Sequence, residues 1–176
     1  MRDLLDGLYR LAGGLAAGLI AFICLIVSAQ VVLNIVTRLG GTAVSYTIPS
    51  YADFAGYCLA ASSFLALAYT FTRDGHIRVM LVLDRLPGRA ARLAAELFAL
   101  LACGAATLFA TYYIALLTAQ SYRFGDKSTG IVAIPLWIPQ SVVLLGLAIL
   151  SIALLDSLVQ TLRTGRPAIE PQQHIE

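Results

Sequence analysis

Charged residues are absent from four long stretches of the chain. The stretches cover residues 11–37, 54–72, 97–122 and 128–155. A helix needs about 20 apolar residues to cross the hydrocarbon of a bilayer, so each stretch is long enough to span it. In the fourth stretch Pro135 and Pro139 cannot both lie inside a regular helix, so we expect that span to begin near Pro139. The pattern predicts an all-α integral membrane protein, one domain over residues 1–176, with spans over about 11–37, 54–72, 97–122 and 139–159.

The long polar connection, residues 73–96, has a helical pattern of its own. Apolar side chains recur in it with the i, i+3, i+4, i+7 spacing of a helix face, at Val79, Val82, Leu83 and Leu86. We expect a short amphipathic helix over residues 75–86 that lies on the cytoplasmic surface of the membrane. The alternative is an ordinary loop whose arginines only set the orientation of the chain. The chain ends in a polar tail, residues 163–176.

Composition excludes the other broad classes of protein. Hydrophobic residues make up 59% of the chain and charged residues only 12%, against roughly 25% charged in an ordinary globular protein. The mean hydropathy is +0.82 and the net charge +2. A soluble domain could not bury so much apolar side chain, and neither disorder nor nucleic-acid binding fits so few charges.

The positive charges predict how the chain is oriented. Nine of the 12 Lys and Arg residues lie in the two termini and in the connection 73–96, and three lie in the other two connections. The positive-inside rule therefore places both termini in the cytoplasm. Acidic residues near the start, Asp3 and Asp6, and the long apolar run after them do not fit a cleaved signal peptide, so we expect the first span to be retained.

The residues that most four-helix membrane functions require are missing from the spans. The two histidines, His76 and His174, lie outside the spans, so a haem between facing helices is not expected. The three cysteines are isolated in different spans and are interpreted as packing residues. Asp, Glu, Lys and Arg fall at or beyond span boundaries, where they cannot couple transport at membrane depth. The sequence therefore predicts no enzyme, no cofactor and no metal site.

The polar residues within the spans are neutral. Gln30 and Asn34 lie one turn apart in the first span, and Ser62 and Ser63 lie in the second. Such side chains usually hydrogen-bond to a neighbouring helix and only sometimes line a permeation path. Small residues, among them the pair Gly14 and Gly18, indicate helices that pack closely within the chain or against a partner.

Two segments of the chain resemble a known family. The first holds Tyr69, then Arg73-Asp74-Gly75-His76-Ile77-Arg78-Val79, then Asp84-Arg85-Leu86-Pro87. The second is Ser128-Thr129-Gly130 followed by Ile134-Pro135-Leu136-Trp137-Ile138-Pro139-Gln140. Both are similar to segments of the small membrane subunit of tripartite ATP-independent periplasmic (TRAP) transporters, and the four-span layout agrees. The chain departs from that family at Met80, where members often carry an acid, and at Tyr51-Ala52-Asp53, where members carry a Trp with acids. We expect Asp53 alone to fill that role.

The resemblance implies a three-part uptake system in the bacterial inner membrane. A periplasmic binding protein captures an organic acid, and a large multi-span membrane subunit moves it inward with the sodium gradient. In that family the small subunit is not thought to bind substrate or ions, and the resemblance implies that it flanks the large subunit and widens its static scaffold. The alternative that stays open is a self-sufficient small carrier or a membrane assembly factor outside this family.

Ten residues are candidates for contacts with subunits or lipids. On the cytoplasmic side they are Arg73, Asp74, His76 and Arg78, which are interpreted as docking to the large subunit or to anionic lipid headgroups; the alternative is a solvated turn. On the opposite side they are Asp53, Ser128, Gly130, Pro135, Trp137 and Pro139, interpreted as a contact with the large subunit or the binding protein. For Trp137 the alternative is simple anchoring at the membrane interface.

Overall fold

The computed structural model describes residues 2–39, 47–72 and 89–164. These contain four helices, α1 (Arg2–Leu39), α2 (Tyr51–Thr72), α3 (Arg89–Phe124) and α4 (Trp137–Thr164). All four are long and apolar enough to cross a membrane. The prediction of an all-α, four-span protein is therefore confirmed. The predicted surface helix over 75–86, with Arg73, Asp74, His76 and Arg78, and the tail beyond Thr164 lie outside the described residues.

The helices are longer than the charge-free stretches that predicted them. α1 and α3 include polar turns before their apolar runs, because a helix can continue past the hydrocarbon into the headgroup region. α4 begins at Trp137, so Pro139 lies in its first turn. Proline is tolerated there because the first N–H groups of a helix have no partner within it. Pro135 lies before the helix, and the two prolines thus have different surroundings.

The four helices form a row. α1 packs on α2, α2 on α4, and α4 on α3, which gives the lateral order α1–α2–α4–α3. The two inner helices are the more buried: 33% of the most apolar window of α4 is buried, against 6% for α1 and for α3. Large apolar side chains on α1 and α3 are therefore exposed, as lipid or a partner protein would allow.

The core joins three helices of the row. Its buried members are Tyr9, Ala12 and Ala16 of α1, Leu65 and Ala68 of α2, and Ile149 and Ala153 of α4. The mostly small side chains let the backbones approach closely, which is the usual way in which membrane helices gain van der Waals contact.

Two glycines lie directly against neighbouring helices. A Cβ on Gly13 would lie 2.7 Å from the ring of Tyr69, and a Cβ on Gly146 would lie 2.6 Å from the backbone of Phe64. Gly14 and Gly18, which the sequence suggested as a packing pair, have open space around them among the described residues. The close contacts to α2 are thus made by Gly13, the neighbour of Gly14, and by Gly146 of α4. Gly14 and Gly18 do not make them.

Candidate functional site

The connection between α3 and α4, residues 125–136, folds back on itself. Gly125, with φ at +67°, ends α3 in a conformation that glycine adopts without strain. The Ser128 N–H donates to the Ile134 carbonyl at 2.8 Å, and the Leu136 N–H donates to the Asp126 carbonyl at 3.0 Å. These bonds flank an antiparallel bridge between Lys127 and Pro135. Pro135 lacks an N–H, and at this position of the bridge none is needed.

Ser128 stabilises this connection with its side chain as well. Its hydroxyl accepts from the Ile134 N–H at 3.0 Å and lies 3.3 Å from the Val132 carbonyl, to which it donates. The candidate Ser128 therefore acts within the connection, as a group that closes the loop.

The connection is fastened to the start of α2. The Val132 N–H donates to the Ser50 hydroxyl at 2.9 Å. Gly130 lies directly against the Asp53 carboxylate and the Ser50 hydroxyl, so that any side chain at this position would clash. Ser50, just before α2, has a positive φ of 56°, a conformation uncommon for residues other than glycine. Asp53 and Gly130, which are far apart in sequence, thus belong to one cluster.

Gln30 fastens α1 to the same region. Its side chain is 3% exposed; its carbonyl oxygen accepts from the Ile48 N–H at 2.8 Å, and its amide donates to the Asn34 carbonyl oxygen at 2.9 Å. The partners are a loop backbone and a residue of the same helix, where the sequence had suggested a neighbouring helix. We call the end of the row that contains residues 47–50 and 125–136 the loop end.

Aromatic rings complete the loop end. The Trp137 ring, 37% exposed, meets the Tyr122 ring edge to face with centroids 5.6 Å apart. Tyr122 ends the apolar part of α3 and Trp137 begins α4, so the pair lies at the ends of two apolar helices. The structure thus brings Asp53 and Gly130 into contact and places Ser128, Pro135 and Trp137 in or beside the same connection. Pro139 lies in the first turn of α4.

Polar contacts between α3 and α4 were missed by the sequence analysis. Glu96 is only 6% exposed, and the Thr161 hydroxyl lies 3.5 Å from its Oε1. Further along, the hydroxyls of Thr111 and Ser151 lie 3.3 Å apart. Apolar neighbours on both sides of Glu96 are the only signal in the sequence, and they do not show which helix the carboxyl group meets. These contacts fix the register of α3 on α4.

The described residues hold no group of three or more His, Cys, Asp or Glu side chains suited to a metal ion. The chemistry available at the loop end is that of hydrogen bonding, packing and anchorage. These contacts connect α1, α2 and the 125–136 connection to one another.

Comparison with protein families matches residues 23–164 to the family described as tripartite ATP-independent periplasmic transporters, DctQ component. This chain belongs to the DctQ family. The match covers most of the chain and includes α2, α3, α4 and the whole loop end. No curated protein and no solved structure matches it.

Membership identifies the chain as the small membrane subunit of a TRAP transporter, as the two motifs had indicated. The DctQ family is a transporter component and not an enzyme family. The cluster of Ser50, Asp53 and Gly130 therefore lies in a transporter subunit, at one end of four apolar helices.

Proposed function

We propose that this DctQ component is a scaffold. It flanks a large multi-span membrane subunit in the bacterial inner membrane, and that subunit moves an organic acid inward with the sodium gradient. A periplasmic protein delivers the acid. Both termini lie in the cytoplasm, as the distribution of Lys and Arg supports, so the loop end faces the periplasm.

The observation that carries this proposal is the row α1–α2–α4–α3. A row leaves a broad side of every helix available to lipid or to another protein, and the outer helices α1 and α3 expose many large apolar side chains. The central parts of the spans contain no charged residue that could bind and couple an ion. Such a row of helices is suited to widening the static scaffold of the large subunit. The partner proteins then supply substrate recognition and energy coupling.

We further propose that α3 meets the large subunit through two tyrosines. Tyr112 and Tyr113 are 60% and 53% exposed, and the Tyr113 ring lies tilted against the Phe109 ring with centroids 4.5 Å apart. From Tyr113 to the interfacial Tyr122 the helix rises about 14 Å, so both phenols lie deep in the hydrocarbon. A hydroxyl at this depth needs a hydrogen-bond partner, which lipid tails cannot provide. A neighbouring protein helix provides one.

The two groups of candidate residues named from the sequence, one on each side of the membrane, are compatible with this scaffold role. At the loop end, Asp53, Ser128, Gly130, Pro135, Trp137 and Pro139 form or border a rigid surface that the large subunit or the binding protein would contact. On the cytoplasmic side, Arg73, Asp74, His76 and Arg78 remain candidates for the large subunit or for anionic lipid.

Affinity purification of the tagged chain from its native membranes in mild detergent tests the proposal. We expect a membrane protein with about a dozen spans to accompany it in stoichiometric amount, and that protein to be identifiable by mass spectrometry. Recovery of the chain alone, with its fold intact, would favour a self-sufficient membrane protein instead.

A further inference from the structure

A polar cavity lies at the opposite end of the row, between the start of α1 and the end of α2. Its volume is about 190 Å³, and it is lined by Asp6, Tyr9, Arg10, Tyr69 and Thr72. One water occupies roughly 30 Å³ in the liquid, so the cavity has room for a group considerably larger than a single water. We call it the α1–α2 cavity.

Tyr9 gives the cavity an unused hydrogen-bonding group. Its side chain is 4% exposed and its ring belongs to the core, but its hydroxyl is buried without a hydrogen-bond partner in the described part of the chain. Buried polar groups are nearly always paired, because an unpaired one has lost water and gained nothing in return. The hydroxyl itself has almost no exposed surface, so an occupant of the cavity can reach it only when the Tyr9 side chain turns toward the cavity.

The charges around the cavity indicate what occupies it. Arg10 offers a guanidinium group, which binds a phosphate with two parallel hydrogen bonds. Asp6, one helical turn away, offers a carboxylate. A carboxylate so near the arginine disfavours a simple anion. The pair favours a ligand that carries a cation beside its phosphate.

The cavity lies at the depth of lipid headgroups. Asp6 and Arg10 come just before the charge-free part of α1, and Thr72 ends the charge-free part of α2. Both helices therefore leave the hydrocarbon here. A ligand whose phosphate and cation lie at this level can keep its apolar chains in the bilayer.

We propose that the α1–α2 cavity binds a phosphate ester that carries a primary ammonium group, the chemistry of an ethanolamine headgroup. The phosphate lies on the Arg10 guanidinium, and the Tyr9 side chain turns toward the occupied cavity so that its hydroxyl donates to the phosphate. The ammonium donates to the Asp6 carboxylate. A membrane phosphatidylethanolamine and free phosphoethanolamine share this chemistry.

Thermal unfolding of the full-length, delipidated chain in detergent tests the site. The additives are phosphatidylethanolamine, phosphatidylglycerol and phosphatidylcholine with identical acyl chains, and water-soluble phosphoethanolamine. We expect phosphatidylethanolamine to raise the Tm most, because only its headgroup combines a phosphate with an ammonium that has N–H donors. Stabilisation by phosphoethanolamine at equal concentration would identify the free ester as the source. Equal stabilisation by all three lipids would overturn the proposal.

Three variants resolve the contacts. Arg10→Gln should weaken the apparent affinity for phosphatidylethanolamine roughly tenfold, as the loss of one charge-assisted contact predicts. Asp6→Asn should remove the preference for phosphatidylethanolamine over phosphatidylglycerol. Tyr9→Phe keeps the ring in the core, so it should fold, with an unchanged or higher Tm without lipid and a smaller shift with it.

The matched control is Arg163→Gln, which removes an exposed arginine from the last turn of α4, at the same end of the row. It should leave the lipid-induced shift unchanged. Affinities of Arg10→Gln and Asp6→Asn within twofold of the original would contradict the assignment, as would a shift reduced equally by Arg163→Gln.

Discussion

Gly146 of α4 lies directly against the main chain of Phe64 in α2. A Cβ on Gly146 would lie 2.6 Å from the Phe64 carbonyl carbon and 2.9 Å from the Leu65 nitrogen. Real Cβ atoms do not approach so closely, and backbone atoms cannot rotate away as the end of a side chain can. The two inner helices of the row are therefore held together at a point where only glycine fits.

Gly146→Ala should force α2 and α4 apart. We expect a loss of about 1–3 kcal/mol in the free energy of unfolding, the usual cost of adding a methyl group to a tightly packed site. The measurement is reversible unfolding in detergent, followed by circular dichroism. Gly104→Ala in α3 is the control, because no atom of the described residues lies near its Cβ position. It should be neutral or slightly stabilising, since alanine favours a helix. Equal destabilisation by both variants would contradict the close contact.

Gly130→Ala should disturb the loop end without affecting the helices. The added methyl would press on the Asp53 carboxylate and the Ser50 hydroxyl, so both side chains would have to turn away and the bond from the Val132 N–H to Ser50 would be lost. We expect faster proteolysis within residues 125–136 and unchanged helical circular dichroism. Thr129→Ala, which alters an exposed neighbour, is the control and should leave the cleavage rate as it was. Unchanged proteolysis of Gly130→Ala would show that the cluster is not tight.

Gln30→Met should release the loop before α2 from α1. Methionine has a similar length but cannot accept from the Ile48 N–H, and the loss of this bond should destabilise the protein by about 1 kcal/mol. Hydrogen exchange at the Ile48 amide should accelerate as well. Gln120→Met, at an exposed position of α3, should change neither quantity. Retained protection at Ile48 would argue against this hydrogen bond.

Much of the fold follows from the sequence, because apolar runs without charge must cross the membrane. The faces on which the helices meet do not follow. Gly13 and Gly14 are adjacent and chemically identical, yet only Gly13 touches a neighbouring helix, at the ring of Tyr69. The direction in which each points depends on the rotation of α1 about its axis, which no local pattern sets.

At the loop end, too, the sequence identifies individual residues but not the contacts between them. The motif around Gly130 and the acid at Asp53 were recognised separately, by resemblance to the family. Their contact depends on how α2 and the 125–136 connection are brought to one end of the row, and this is a tertiary property. Glu96 likewise could not be placed, because a carboxyl group at the edge of an apolar run is as compatible with solvent as with Thr161.

Removal of the two phenol hydroxyls on α3 should weaken the complex with the large subunit. Each membrane hydrogen bond contributes about 0.6 kcal/mol on average and up to about 1.7, so the double variant Tyr112→Phe, Tyr113→Phe should lower affinity several-fold. The fraction of large subunit retained through detergent washing measures this effect. Tyr122→Phe, which keeps its ring beside Trp137 at the interface, should retain the partner fully. A loss that is the same for both would show that α3 is not the contact helix.

Uptake by reconstituted proteoliposomes tests the scaffold proposal most directly. Vesicles are prepared with the small subunit alone, and with the small and large subunits together, and both are given the periplasmic binding protein, its organic acid and an inward sodium gradient. We predict sodium-dependent uptake only where the large subunit is present, and none by the small subunit alone. Sodium-driven accumulation in vesicles that contain only this chain would contradict the account.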